Sequence, residues 1–309
     1  MGHTTTIGSS GGASRRHLLK AGAGLAAGGL ALGGFPAVVR GALDGVTFGT
    51  NWRAQAEHGG FYQAVAKGIY GEHGLDVTIR PGGPQVNNTQ LLAAGRIDFN
   101  MGGNSFTALN YVQNGLPFLA VAAIFQKDPQ ALIAHPGRGH DDLESLKGEP
   151  IMISTGVRIT LWRWLQARYG YTDDQIRPYT FSLAPFLADP DAIQQGYVTS
   201  EPYAIRQAGV EPVIMLLADR GFNGYSTTID VGRRTVEERP DLVRRFVDAS
   251  VLGWVDYLYG DPAPGNALIR RDNPEMTDDL IAYGIRAMRD YGIVDSGDSL
   301  ERGIGAMTR

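Results

Sequence analysis

From Asp44 onward, short apolar runs of strand length alternate with segments whose apolar residues recur at helical spacing, and few folds accommodate that alternation. Strands are expected over 46–50, 75–80, 97–101, 118–125 and 131–134, with helices over 58–73, 87–94 and 104–113 between them. Within 58–73, Phe61, Val65 and Ile69 stand four apart and share a helical face, and Gly74 is a natural stop. Strand, helix and strand in succession build a mostly parallel sheet covered by helices. A second unit of the same kind starts near Asp141. Helices over 142–147, 157–169, 189–195 and 202–208 interleave there with strands over 151–154, 196–199 and 213–217. The chain closes with helices over 241–259 and 278–291. Thr172 and Thr235, followed three residues on by Gln175 and Glu238, have the capping-box form. The fold class is therefore α/β, with two lobes facing a central cleft. Ligands are expected beyond the carboxyl ends of the strands, in the cleft.

The first forty or so residues stand apart from this rhythm. Ser14-Arg15-Arg16-His17-Leu18-Leu19-Lys20 precedes a glycine-rich apolar run from Ala21 to about Val39. A basic start, a weakly apolar middle and a small-residue tail make an export signal, and the paired arginines give it the twin-arginine form. So much glycine lowers helix propensity and apolar area, which argues against a membrane anchor. Residues 1–40 are accordingly expected to be a leader, and the rest a soluble periplasmic protein. The formal net charge is −4, but Arg15, Arg16, Lys20 and Arg40 all precede the first acid, Asp44, so the remainder carries about −8. That sign excludes a generic nucleic-acid binder. The chain has no cysteine, which removes disulfides, thiolate catalysis, iron–sulfur clusters and cysteine zinc sites. His58, His73, His135 and His140 show no metal-binding spacing, and there is no Gly-x-Ser-x-Gly, Walker loop or His-Glu-x-x-His. No catalytic residues, metal or cofactor are expected.

Several short motifs follow one another along the chain. They are Asn51-Trp52, His58-Gly59-Gly60-Phe61-Tyr62, Ala66-Lys67-Gly68-Ile69-Tyr70, Gly74-Leu75-Asp76-Val77 and Leu91-Leu92-Ala93-Ala94-Gly95-Arg96-Ile97-Asp98. Leu146-Lys147-Gly148, Asp191-Ala192 and Glu201-Pro202-Tyr203 complete the order. In this order they resemble the periplasmic solute-binding proteins of ABC importers, in the branch shared by thiamine-pyrimidine, sulfonate, taurine and nitrate binders. The resemblance implies a two-lobed type II periplasmic-binding-protein fold. It divides the chain into lobe 1 over 44–130, lobe 2 over 131–219 and a return to lobe 1 with C-terminal helices over 220–309. It also implies a small-molecule ligand, a permease and an ATPase in the inner membrane as partners, and a monomer. A Trp followed by His-x-x-Phe-Tyr is most similar to binders of thiamine-precursor pyrimidines, with sulfonate or nitrate binders as the alternative. A third reading is an exported enzyme on the same scaffold. The eukaryotic pyrimidine synthase of the family relies on a cysteine-rich motif that this chain lacks.

The residues themselves suggest where a ligand would sit. Trp52 ends the first strand, where an indole can stack on a planar ring or simply pack the lobe. His58 can exchange hydrogen bonds with a ring nitrogen or cap a helix. Tyr62, one turn on, can cover the ligand or fill the core. Asn104 and Ser105 follow Gly102-Gly103, and Ser154, Thr155 and Gly156 repeat that strand-to-helix form in the second lobe. Both sites can offer backbone N–H groups to a ligand or merely start a helix. Glu201 can accept from an exocyclic amino group or lie in solvent. Tyr225 and Asp230 near the return crossing, and Arg158 and Trp162 after Thr155-Gly156, are weaker candidates.

Overall fold

The alternation folds into two five-stranded sheets, each flanked by helices. The computed structural model describes residues 42–84 and 86–308. The leader expected over 1–40 lies outside the described residues. The first lobe opens with β1 (Asp44–Gly49), α1 (Gly59–Ala66), α2 (Ile69–Glu72), β2 (Leu75–Arg80), α3 (Asn88–Ala93), β3 (Phe99–Asn104), α4 (Ser105–Gln113) and β4 (Phe118–Phe125). The second lobe holds β5 (Gln130–Ala134), β6 (Ile151–Ile153), α5 (Arg163–Tyr169), β7 (Ile176–Pro178), α6 (Ala184–Ala188), β8 (Ile193–Tyr197), α7 (Glu201–Gln207) and β9 (Val213–Leu216). The chain then returns through β10 (Ser226–Gly232), α8 (Arg233–Glu238), α9 (Pro240–Tyr259), α10 (Ala263–Asp272), α11 (Asp278–Asp290) and α12 (Ser299–Arg302).

Strand order is β2-β1-β3-β10-β4 in one sheet and β7-β6-β8-β5-β9 in the other. In the first sheet β1 runs parallel to β2 and β3, whereas β10 is antiparallel to both β3 and β4. The second sheet repeats the pattern, with β5 as the one reversed strand. Each reversed strand is the one by which the chain enters that sheet from the other lobe. The remaining strands of each sheet point the same way, so their carboxyl ends gather along one edge, where ligands bind in such sheets.

An aromatic cluster packs behind the first sheet. Phe246 of α9 stacks on Phe99 with ring centroids 4.1 Å apart and also meets Tyr70 and Phe48. Helices α1 and α9 approach closely because glycines face each other. A Cβ on Gly60 would lie 2.2 Å from Trp254 Cγ, and one on Gly253 would lie 2.3 Å from the Gly60 carbonyl oxygen.

Several expected elements differ. The helix over 58–73 breaks at Gly68, whose φ of 72° turns the chain left-handed and separates α1 from α2. The segment 142–147 is a series of turns. Residues 189–195 are not a helix: Asp189, before Pro190, is extended and ends α6, and 193–197 form β8 at the centre of the second sheet. Gln194 and Gln195 are buried there. β10 was not expected at all. Nearly every residue in it is buried, so no polar alternation marks it as a strand. Thr235 lies inside α8 rather than at a cap, and α9 starts at Pro240 after the chain turns at Arg239. The Thr172–Gln175 capping box is present.

Candidate functional site

The carboxyl ends of the two sheets face a shared cleft. From the first lobe Asn51, Trp52 and Gln55 reach it just past β1. From the second come Ser154 and Gly156 after β6, Tyr179 and Phe181 after β7, Gln195 to Tyr197 at the end of β8, and Ser200 and Glu201 at the start of α7. They enclose about 330 Å³. A second chamber of about 540 Å³ continues from it, with Asn51 and Gly156 common to both. That chamber is walled by Asn87, Asn88 and Thr89 at α3, by Asn100 to Gly103 on β3, and by Thr107 on α4. Among the described residues lining the two chambers there is no Lys, Arg or His, and Glu201 is the one carboxylate.

Aromatic rings span the cleft. Trp52 packs on Phe181 from the opposite lobe, with centroids 4.6 Å apart and planes tilted by 47°, and Phe181 meets Tyr179 at 5.1 Å. Phe181 has φ of 63°, a left-handed backbone that a bulky side chain rarely adopts. Such strain is tolerated where surrounding structure enforces it, and it concentrates at binding sites.

Glu201 is held in place by donors. Its Oε1 accepts from the Tyr179 hydroxyl at 3.0 Å, and its Oε2 from the Tyr197 backbone N–H at 2.8 Å and the Ser200 hydroxyl at 2.6 Å. Burial and the neighbouring carboxylate raise the Tyr179 phenol above its ordinary range, so it stays a donor. Gly196 leaves room for this arrangement: a Cβ there would stand 2.6 Å from Ile133 Cδ1 and 3.2 Å from Glu201 Cβ.

Behind the cleft wall lie buried ionisable groups. His58 is buried, with its Nε2 3.3 Å from Asn51 Oδ1, so it orients Asn51 rather than facing the cavity. Burial lowers its pKa to about 3, and the ring is neutral. Glu57 in the first lobe accepts a hydrogen bond from Thr199 in the second, and burial raises its carboxyl to about 7. Asp128, in the β4–β5 crossing, is raised to about 6 by burial.

Of the residues singled out from the sequence, Trp52, Ser154, Gly156 and Glu201 line the first chamber, and Gly102 and Gly103 line the second. The others do not. Tyr62 donates to Asp272 of α10 at 3.1 Å, because α1 is covered by α9 and α10 and its inner face is core. Asn104 ends β3 behind the second chamber, its Nδ2 3.4 Å from Asp128 Oδ2. Ser105 donates its backbone N–H to the Tyr225 carbonyl at 2.8 Å. Thr155 is exposed and does not line either chamber. Tyr225 turns its hydroxyl to Asp298 and Thr308 near the C-terminus. Asp230 is buried and bonded to Tyr111, Thr228 and Asn100. Trp162 belongs to the second lobe's core and donates to Asp173, and Arg158 lines a separate surface hollow beside it. Gln55, Tyr179, Phe181, Gln195, Tyr197 and Ser200 also line the cleft with no local signal for it in the sequence, and Asn51 enters only through the Asn51-Trp52 motif. The strand-end rule points to Tyr179, Phe181 and Tyr197 once β7 and β8 are recognised as strands.

Comparison with known proteins agrees with this architecture. Residues 55–264 match the model of the family described as NMT1/THI5 like. The riboflavin-binding protein RibY of Chloroflexus aurantiacus is 27% identical over 227 residues, which cover 70% of this chain and 63% of that protein. This chain thus spans less than two-thirds of that relative's length. The 4-amino-5-hydroxymethyl-2-methylpyrimidine phosphate synthase THI11 of Saccharomyces cerevisiae is 31% identical over 254 residues, 77% of this chain and 74% of the synthase. In three dimensions the alkanesulfonate-binding protein SsuA of Xanthomonas axonopodis pv. citri aligns with a TM-score of 0.57 at 15% identity, over 79% of this chain and 83% of that one. The two-lobed fold is that of periplasmic binding proteins. Because the family match spans residues 55–264, well over half of the chain, the chain belongs to the NMT1/THI5-like family.

Proposed function

We propose that this protein captures a planar, pyrimidine-containing heteroaromatic solute, of the thiamine-precursor type or a fused relative, and delivers it to an ABC permease and its ATPase. The carrying observation is an aromatic, cation-free cleft: Trp52 and Phe181 meet across it, and no Lys, Arg or His lines either chamber among the described residues. A ring stacks on such side chains. A sulfonate or nitrate would be buried there without a counter-charge, which is costly. Glu201 already accepts from Tyr179, Tyr197 and Ser200, and a carboxylate has about four acceptor sites, so one remains for a ring N–H or exocyclic amino group. The relatives named for riboflavin binding and for pyrimidine phosphate synthesis both handle nitrogen heteroaromatics, in keeping with this reading. Lobe closure about the two crossings would bury the ring. The leader over 1–40 would place the protein in the periplasm, where such a receptor works.

Calorimetric titration tests the reading. Saturable binding of 4-amino-5-hydroxymethyl-2-methylpyrimidine or riboflavin is expected, with no response to alkanesulfonates. Trp52→Ala should weaken binding by roughly 10- to 100-fold, as loss of an aromatic anchor does. Sulfonate binding without any heteroaromatic binding would overturn the proposal. Mass spectrometry of the bound fraction should return the ligand unchanged; conversion to a new product would mark the protein as an enzyme.

A further inference from the structure

We infer that Gln195 is the residue that selects among rings: its amide nitrogen donates to an acceptor of the bound ring, and with Glu201 it fixes which way round that ring lies. The inference rests on the cleft being a ring's site and adds how the site tells one ring from another. Gln195 stands in β8, the middle strand of the second sheet, where an amide is costly unless its hydrogen bonds are met. It is 4% exposed. Its Oε1 accepts the Ser154 backbone N–H at 3.0 Å. That N–H can only donate, so it must face the oxygen, and the amide cannot turn over. The nitrogen is thereby held on the other side. It has no partner among the described residues, yet it is not sealed in the core. Gln195 lines the first chamber, whereas both amide atoms of the neighbouring Gln194 are shut in without partners.

The strand gives this donor a direction. Successive side chains alternate between faces, so Gln195 leaves β8 on one face and Gly196 on the other. Glu201 lies over Gly196, where a Cβ would stand 3.2 Å from Glu201 Cβ. The end of β8 therefore offers the chamber a donor from one face and an acceptor from the other. Trp52 and Phe181 can stack on any planar ring and do not read its edges. Gln195 does read them. It is satisfied by a ring nitrogen that carries no hydrogen or by a carbonyl oxygen. A ring with C–H at that point would leave the amide nitrogen dehydrated and unpaired. A site built to make a hydrogen bond rejects an analogue that lacks the bonding atom more strongly than a site that reads shape alone.

Two calorimetric measurements on the full chain test this. The first compares 4-amino-5-hydroxymethyl-2-methylpyrimidine with 2-amino-4-methylbenzyl alcohol, which keeps the substituents and shape but has C–H in place of both ring nitrogens. The parent should prefer the pyrimidine by roughly tenfold or more, and Gln195→Met, which keeps length and drops the donor, should shrink that preference to less than about threefold. The second uses riboflavin and Gln195→Glu. The introduced carboxylate still accepts from Ser154 but sets an oxygen against the ligand's acceptor. Affinity should fall by roughly 100-fold near pH 7.5 and recover by roughly tenfold or more near pH 5, as the carboxyl, shielded from water, takes up a proton and donates again. Glu201, Tyr179 and Tyr197, the other titratable groups of the chamber, are common to both proteins, so the parent measured at the same two pH values is the reference. Equal binding of the two small rings by the parent would overturn the inference without any variant. An undiminished preference in Gln195→Met, or a loss in Gln195→Glu that is the same at both pH values, would make Gln195 structural and leave the ring site standing. If the parent binds neither the pyrimidine nor riboflavin, the inference falls together with the ring site.

Discussion

Phe181 illustrates how single residues carry the cleft. It faces Trp52 across the lobes, it is 49% exposed, and its backbone sits at φ of 63°. A residue that served only stability would not keep a strained backbone and an open ring. Phe181→Gly is expected to leave stability unchanged or raise it by up to about 1 kcal/mol, as the left-handed strain is relieved, while ligand affinity falls at least tenfold. Denaturant titration and calorimetry on one preparation check both; a loss of stability with affinity intact would make Phe181 structural. Glu57 is a second case, with a consequence for pH. Its carboxyl ionises near 4.5 when unfolded and near 7 when buried. Between those values the folded chain holds a proton that the unfolded chain has released, so this group's contribution to stability is lost as pH rises through the window. His58 acts the other way: buried neutral with a pKa of about 3, it costs stability as pH falls below 6.5 and the unfolded imidazole charges. Glu57→Gln isolates the first effect. The variant should match the parent near pH 4.5 and exceed it progressively up to about pH 7, where the gap levels off, widening by at most roughly 1.4 kcal/mol per pH unit. Urea midpoints at three pH values measure this, and a pH-independent gap would refute it.

At the scale of elements, the pairing of α1 with α9 decides where Trp52 stands. The loop that carries Trp52 leads from β1 into α1, and α1 is pressed against α9 through Gly60 and Gly253. Gly253→Ala would drive a methyl to within 2.3 Å of the Gly60 carbonyl oxygen and 2.7 Å of Ala64 Cβ. Backbone cannot yield as a flexible side chain does, so a cost of about 1–3 kcal/mol is expected in chemical denaturation. Because the displaced helix feeds the cleft, affinity should fall with it. The same scale shows why helical periodicity misled. Phe61, Val65 and Ile69 keep helical spacing, yet Gly68 ends one helix and begins another. Tyr62 lies one turn from His58 as expected, but Tyr62 turns to Asp272 of α10 while His58 turns to Asn51.

For the whole molecule, the chain passes between the two sheets twice, at β4–β5 and at β9–β10. The contacts between them include Trp52 on Phe181, Thr199 to Glu57, Phe106 on Phe222 at 5.4 Å and the Tyr283 hydroxyl donating to the Val198 carbonyl at 3.0 Å. Lys127 and Asp219 pair at 3.0 Å between the two crossings, but both are well exposed and contribute little. A ligand that bridges Trp52 and Phe181 across the cleft should draw the two lobes together. Small-angle scattering should show a smaller radius of gyration on saturation with the tightest ligand. At a hundredfold excess over Kd, linkage supplies about 2.7 kcal/mol, which should raise Tm by roughly 5 °C or more. Tight binding with no change in scattering would mean that the cleft is already closed without ligand.

Local pattern alone determined the α/β class, the two-lobed organisation and the placement of Trp52, Ser154, Gly156 and Glu201 near strand ends. These depend on periodicity and on short-range chemistry, which neighbouring residues express directly. Tertiary structure decided the rest. β10 and β8 are buried on both faces or carry glutamines inward, so their strand character appears only when partners pair with them. Tyr179 and Phe181 become cleft residues only because β7 ends opposite β1 across the lobes, and His58 becomes a support for Asn51 only because the wall closes over it. Spacing along a chain fixes which residues share a face of one element. Which faces meet across two lobes is set by long-range packing, and the chemistry of this cleft is made there.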